Sequence, residues 1–295
     1  MTDPKTRLRE ILGRPGMVVA PGSYDAISAC AIARSGFDAV YMTGAGTAAS
    51  LGFPDFGLVT MTEMVANAQR IARSIDVPLI ADADTGYGNE LNVWRTVQEY
   101  ERAGVAGIHI EDQEFPKKCG HLDNKQVIAR EDYIAKIRAA AAAKTSREFL
   151  LIARTDSRAM LGLEEAVARA NAALEAGADM AFVEAPQTPE EVAAVPRLVR
   201  GPCLLNMVWG GKTPLASLPE AEAMGYKLAI LPALLLKEAI GAFDRILDAL
   251  KAEQRYPTPQ AELRVADIFR RFGADEWDER RTKFRDPEKP LAAAE

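Results

Sequence analysis

Cysteine and histidine are scarce in this chain of 295 residues, with three of the first and two of the second. Cys30, Cys119 and Cys203 are odd in number and widely spaced, which excludes a disulfide framework and suits a reducing compartment. His109 and His121 form no i, i+4 ligand pair, which argues against zinc. Long apolar runs are missing too: no stretch reaches about 18 uninterrupted apolar residues, so no membrane span is expected. The opening MTDPKTRLRE has no apolar stretch of signal-peptide type, and the expectation is a soluble, cytoplasmic protein. Nor is there an excess of positive charge. The balance of 36 basic against 42 acidic residues gives −6, which points away from nucleic acid and anionic membranes as partners. A small anionic substrate would need local positive charge inside its site.

What the chain does contain is regular. Short runs rich in Val, Ile and Leu recur at 17–20, 39–43, 78–84, 107–113, 150–156, 180–185, 203–208 and 228–231. Most are continuously apolar, as strands buried on both faces should be. Amphipathic segments such as 62–74, 91–103, 131–143 and 163–176 lie between them. Several end at Ser35-Gly36, Ala103-Gly104 or Ala176-Gly177, the expected left-handed stop before a strand. Eight strand–helix repeats predict an α/β fold, a (β/α)8 TIM-type barrel over 1–252. A doubly wound open sheet is the alternative, disfavoured because no Gly-rich phosphate turn follows the first strand. Residues 253–295 change to charged helical sequence with Phe269, Phe272, Trp277 and Phe284, which need burial. They are expected to form a helical extension packing on the barrel or on a neighbouring subunit.

Active sites of such barrels lie at the C-terminal ends of the strands. There the sequence places Asp82 and Asp84, His109, Glu111 and Asp112, Arg154 and Asp156, Glu184 and Asn206. Strand alternation puts Asp82 and Asp84 on one side. Converging carboxylates repel one another unless a cation intervenes, and Mg²⁺ suits a few carboxylates with waters left for substrate. The competing reading, that each acid merely caps the next helix, accounts for single residues better than for the set. A second motif, Pro116-Lys117-Lys118-Cys119-Gly120-His121, follows the fourth strand. A cysteine beside two lysines and a histidine is expected to be partly exposed, with a depressed pKa, and able to act as nucleophile or acid/base. The alternative is a solvated basic turn with an incidental cysteine.

Taken together, 41–44 (YMTG), 52–55 (GFPD), 82–88 (DADTGYG), 109–113 (HIEDQ), 117–121 (KKCGH), 153–156 (ARTD) and 206–207 (NM) resemble the isocitrate lyase / phosphoenolpyruvate mutase superfamily. The resemblance runs from about Pro21 to Leu250 and implies a barrel, often with a helix exchanged between subunits of a dimer or tetramer. It implies Asp82, Asp84 and Glu111 as holders of Mg²⁺, with Mn²⁺ as a substitute. Thr43, Gly44, Ala45, Asp55, Gly120, Arg154, Glu184 and Asn206 would contact substrate. Lys117 and His121 would serve catalysis with Cys119, Arg154 and Glu111, on a gating loop.

Superfamily lyases that cleave 2-hydroxy di- or tricarboxylates carry the cysteine loop, so the resemblance implies C–C bond cleavage of a small carboxylic acid. Carboxyphosphonoenolpyruvate mutase is a rival, because that branch shares the cysteine loop and a Val-Trp-Arg run like Val93-Trp94-Arg95. An oxaloacetate hydrolase or decarboxylase is another, and a non-catalytic barrel that only binds ligand is a third. Trp209 stands where related lyases carry Glu, Lys237 where methylisocitrate lyases use Arg, and Val265 where a further arginine is expected. Losing guanidinium forks disfavours a third carboxylate. The expected substrate is therefore malate-like, with Trp209 either beside an alkyl substituent or packed under the loop.

Overall fold

The structure is a computed structural model that describes residues 2–122 and 124–285. Eight parallel strands close in sequence order: β1 (Val18–Ser23), β2 (Val40–Met42), β3 (Leu79–Asp82), β4 (Gly107–Glu111), β5 (Leu150–Thr155), β6 (Met180–Val183), β7 (Cys203–Asn206) and β8 (Leu228–Leu231). Closure is made by β1 pairing with β8 from Val18↔Leu228 to Pro21↔Leu231, which eliminates the open sheet.

The barrel's helices, in chain order, are α1 (Pro4–Gly13), α2 (Ala26–Arg34), α3 (Gly44–Ser50), α4 (Met61–Ser74), α5 (Glu90–Arg102), α6 (Arg130–Ala143), α7 (Arg158–Glu175), α8 (Pro189–Leu198) and α9 (Leu218–Met224). Then follow α10 (Leu234–Glu253), α11 (Val265–Arg270) and α12 (Ala274–Arg285). The chain divides into two compact units, one ending at Ala239 and one beginning at Ile240. Among the described residues no helix is long and apolar enough to cross a membrane.

Local chemistry accounts for the elements. Capping boxes open α4 (Thr60 with Glu63), α5 (Asn89 with Asn92) and α9 (Ser217 with Glu220). The turn after α7 needs Gly177: its φ is +110°, and a Cβ there would stand 2.8 Å from Ala141 Cβ. Every residue of β3, β4 and β5 is buried, which is why these strands read as unbroken apolar runs.

The core has an inner and an outer layer. Tyr41, Ile80, Ile152, Phe182, Leu204 and Ile230 fill the barrel, and Leu8 and Ile11 of α1 join the same cluster. A second cluster, with Met64, Val97, Tyr100, Tyr133 and Ile137, packs helices on strands. Register then aims the polar strand ends. Asp82 lies beside His109 on the neighbouring strand, and Glu111 lies beside Arg154.

Candidate active site

β3 ends at Asp82, earlier than the sequence suggested, and Asp84 follows in a left-handed conformation with φ +46°. This bend, instead of strand alternation, places the two carboxylates together: the Asp84 amide donates to Asp82 Oδ1 at 2.9 Å. Across the mouth, Thr43 caps α3 by accepting from the Gly46 amide, and Gly44 donates its own amide to Asp82 Oδ2 at 3.2 Å. A Cβ on Gly44 would lie 2.5 Å from Asp82 Oδ2 and 3.3 Å from Asp84 Oδ1, so only glycine fits this cradle. Ala45, half-buried, is the next residue on α3.

Lys117 is buried between Asp55, to which it donates, and Asp84, whose Oδ1 lies 2.7 Å away. Burial and then the two carboxylates Asp82 and Asp55, opposed by Lys117, push the Asp84 carboxyl up to about 6. Burial also raises Glu111, with Arg154 opposing. Beneath them His109 is pushed down to about 4 by burial. It is a neutral imidazole, with Nε2 2.7 Å from the Tyr41 hydroxyl.

Arg154 carries the opposite charge. Its Nε lies 3.2 Å from Glu111 Oε2 and donates to Asp156 Oδ2 at 2.9 Å, and its Nη2 lies 3.8 Å from Glu184 Oε2. The guanidinium also rests 5.0 Å above the Phe182 ring. Glu184 accepts from Asn206 Nδ2 at 3.1 Å and sits 3.2 Å from His121 Nε2. Because His121 Nδ1 accepts from the Lys212 amide, the ring proton resides on Nε2 and faces Glu184.

The loop from Lys117 to His121 lies over this floor. Its backbone is held by Gln113, whose side chain bonds both Lys118 N and Lys118 O, and by the Cys119 amide donating to Asp55 O at 3.1 Å. Cys119 is half-buried, as expected, but its thiol pKa is raised and not depressed. Burial raises it first and the Asp55 charge adds to that, while the Lys117 charge is spent on Asp55 and Asp84. A protonated thiol suits a proton donor better than a nucleophile.

The oxygen-rich floor fits a hard cation. Five carboxyl groups (Asp55, Asp84, Glu111, Asp156, Glu184) pair with three cations (Lys117, Lys125, Arg154), and Asp82 is held by the Gly44 and Asp84 amides. Asp84 Oδ1 and both oxygens of Glu111 are buried; Lys117 and Arg154 face the first and Glu111 Oε2 as ion pairs, and Glu111 Oε1 meets no donor. Among the described residues no group of three or more His, Cys, Asp or Glu closes around a point, so the acids are neighbours and not an assembled cage. An ion held here would keep water and substrate among its ligands, as Mg²⁺ and Mn²⁺ do.

Two residues belong to this site that the sequence did not single out for it, Tyr41 and Lys125, while Asp112 and Asp156, read there only as strand-end acids, acquire definite partners. Asp112 accepts from Thr155 Oγ1 at 2.6 Å, from the Asp156 amide at 2.8 Å and from Arg169 at 3.1 Å. The Arg-Thr-Asp spacing could have marked Asp156, since it returns the acid to the side of Arg154. No pattern marked Lys125. At the rim, Trp209 is 77% exposed, which overturns the reading of it as packed under the loop. Lys237 donates to the Trp209 carbonyl. Val265 belongs to the second unit and is exposed.

A closed parallel barrel with an arginine, a carboxylate floor and a cysteine loop at one mouth is the layout of an α/β-barrel enzyme. A family model described as phosphoenolpyruvate phosphomutase matches residues 8–251, and the chain belongs to the phosphoenolpyruvate mutase/isocitrate lyase superfamily. The chain is 50% identical over 246 residues to 2,3-dimethylmalate lyase of Eubacterium barkeri, covering 83% of this chain and 85% of that one. It is 45% identical over 240 residues to 2-methylisocitrate lyase of Aeropyrum pernix, covering 81% and 77%.

Among solved structures, 2,3-dimethylmalate lyase superposes with a TM-score of 0.92 at 41% identity, covering 100% of this chain and 99% of that one. Oxaloacetate acetylhydrolase bound to 3,3-difluorooxalacetate gives 0.91 at 39%, covering 98% and 99%. Phosphonopyruvate hydrolase complexed with oxalate and Mg²⁺ gives 0.87 at 28%, covering 97% and 100%.

Proposed function

We propose that this protein is a Mg²⁺-dependent carbon–carbon lyase. It cleaves a 2-hydroxy dicarboxylate of 2-alkylmalate type, or the tricarboxylate methylisocitrate, into a 2-keto acid and a carboxylate. The observation that carries this reading is the placement of the Cys119 loop over the carboxylate floor, with the Cys119 amide on Asp55 O and Gly120 packed close to Arg154. The similarity to two named lyases supports it.

In this reading Asp82, Asp84 and Glu111 hold the divalent ion, directly or through water. When bound, the ion supplies Lewis-acid charge that favours ionisation of the substrate's 2-hydroxyl. Arg154 and Asn206 bind substrate oxygens, and Thr43, Gly44 and Ala45 line the opposite wall. As the C2–C3 bond breaks, its electron pair passes to C3 and into the adjoining carboxylate, while C2 becomes a keto carbon. The hydroxyl proton passes to an ionised carboxylate of the floor acting as base, the Arg154 charge stabilises the developing anion, and Cys119 gives its proton to C3. The thiolate regains a proton from water once the loop opens. His121, held on Glu184, and Lys117, held on Asp55 and Asp84, fix the two ends of the loop that excludes water.

Lys237 refines the substrate class. Its ammonium lacks the bidentate fork of an arginine and gives one of its protons to the Trp209 carbonyl, which makes it a poorer holder of a third carboxylate and favours malate-type diacids. Incubating the protein and Mg²⁺ with 2-alkylmalates, methylisocitrate, oxaloacetate and phosphonopyruvate tests the assignment. Keto acid is expected from a hydroxy diacid, and none from any of them contradicts the reading. The same proposal places the enzyme in the cytoplasm as a homo-oligomer, a dimer or tetramer. Ile240, Phe243, Leu247, Leu250 and Trp277, exposed in the single chain, would be covered there, and a monomeric mass by light scattering contradicts this.

A further inference from the structure

Lys125 has no role in the chemistry above, yet its ammonium is among the most committed in the molecule. The side chain is 1% exposed, donates to the Gly120 carbonyl and, at 2.7 Å, to Asp156 Oδ1. A buried ammonium is costly unless its protons find acceptors, so both contacts matter to the closed arrangement. The two acceptors are different in kind. Gly120 belongs to the loop and follows Cys119. Asp156 belongs to the turn after β5, and its carboxylate fixes Arg154 by accepting from Nε at 2.9 Å and from Nη2 at 3.3 Å.

Lys125 itself stands on backbone tied to the barrel. Glu114 N donates to Gln126 O at 2.9 Å, Gln113 bridges Val127, and Ile128 N donates to Asp112 O at 2.9 Å. The loop and the guanidinium also touch directly, because a Cβ on Gly120 would lie 2.4 Å from Arg154 Nη2. One anchored cation thus meets both partners that must come into register: the backbone beside the thiol and the carboxylate that aims the arginine.

We propose that Lys125 is a latch, a positioning residue that couples closure of the cysteine loop to the aim of Arg154. Opening the loop takes the Gly120 carbonyl away from the Lys125 ammonium and leaves it on Asp156 alone. Closing the loop restores the bond at the same moment as it seats Gly120 on the guanidinium. The latch assigns Lys125 to the step that assembles the site, with no contact to the reacting atoms. It extends the lyase reading but is tested without relying on turnover.

The experiment follows iodoacetamide labelling of Cys119, read by peptide mass spectrometry, in the full-length protein with Mg²⁺ and with or without oxalate. Wild type is expected to be protected by oxalate. Lys125→Met is expected to lose that protection and to label roughly tenfold faster at a temperature well below its own melting point. Lys125→Arg keeps the charge on Asp156 but misplaces the Gly120 contact, and is expected to fall between the two. With a substrate that turns over, kcat should fall in Lys125→Met while KM holds. Wild-type protection in Lys125→Met overturns the latch. Should that variant not fold, wild-type protection in Lys125→Arg overturns it equally. Labelling that changes as expected while no diacid is cleaved keeps the latch and removes the lyase assignment.

Discussion

Gly120 and Arg154 are in such close approach that a methyl group on the glycine would stand 2.4 Å from Nη2 and 2.7 Å from Cγ of Glu184. The loop therefore closes against the arginine with no room for a side chain. Gly120→Ala should hold the loop off the floor and lower kcat by about 100-fold, because small misplacements of reacting groups are costly. The loop adds little to the core, so the melting temperature should stay near that of wild type. Steady-state kinetics beside a melting curve check both halves.

Cys119 is expected to donate a proton, and the pH dependence has a definite sign. The donor form exists below the thiol pKa and is lost as pH rises through it. Because burial and Asp55 raise that pKa, the alkaline loss should lie above the value for an ordinary cysteine. Labelling of Cys119 across pH, read peptide by peptide to exclude Cys30 and Cys203, should show the same displaced midpoint. Cys119→Ser should lower kcat by roughly 10²- to 10⁴-fold, the usual range for a lost general acid.

The crowding of Asp82 and Asp84 beside Glu111, whose buried Oε1 meets no donor, predicts a metal requirement. Chelation should abolish turnover, and Mg²⁺ or Mn²⁺ should restore it. Mg²⁺ at 100 times its dissociation constant should stabilise the fold by about 2.7 kcal/mol through mass action. Asp84→Asn should lose most of that thermal shift. Equal shifts in both proteins would separate Asp84 from the metal.

Much of this was legible in advance, for identifiable reasons. Strands buried on both faces, such as β5, leave an unbroken apolar run, and the glycine after a helix, such as Gly177, marks its stop. The strand ends then announced Asp82, Glu111 and Arg154. The Asp84 bend was hidden, because a positive φ at aspartate leaves no pattern in neighbouring residues. Cys119 was misread because sequence proximity to lysines is not spatial proximity to their charge, and Lys117 turns inward to Asp55 and Asp84. Lys125 was invisible because its partners, Gly120 and Asp156, are brought to it only by the folded loop.

Phe182 links stability to the site. It is fully buried, supports the Arg154 guanidinium at 5.0 Å and meets the edge of His109 at 5.5 Å. Phe182→Ala should cost about 3–5 kcal/mol by denaturant unfolding, as large-to-small changes in a packed core do. Phe182→Leu keeps most of the volume but loses the ring. It should fold well yet lose activity through kcat, whereas unchanged kinetics would deny the ring any part in seating Arg154.

The lyase reading rests on breakage of a C–C bond in a hydroxy diacid, with Cys119 protonating the fragment. Proton NMR of the Mg²⁺-loaded protein with 2,3-dimethylmalate, run beside Cys119→Ser, tests it most directly. Pyruvate and propionate should appear in equal amounts with wild type and at a small fraction of that rate with the variant. Unchanged dimethylmalate and methylisocitrate, with oxaloacetate converted to oxalate and acetate or phosphonopyruvate rearranged, would contradict it.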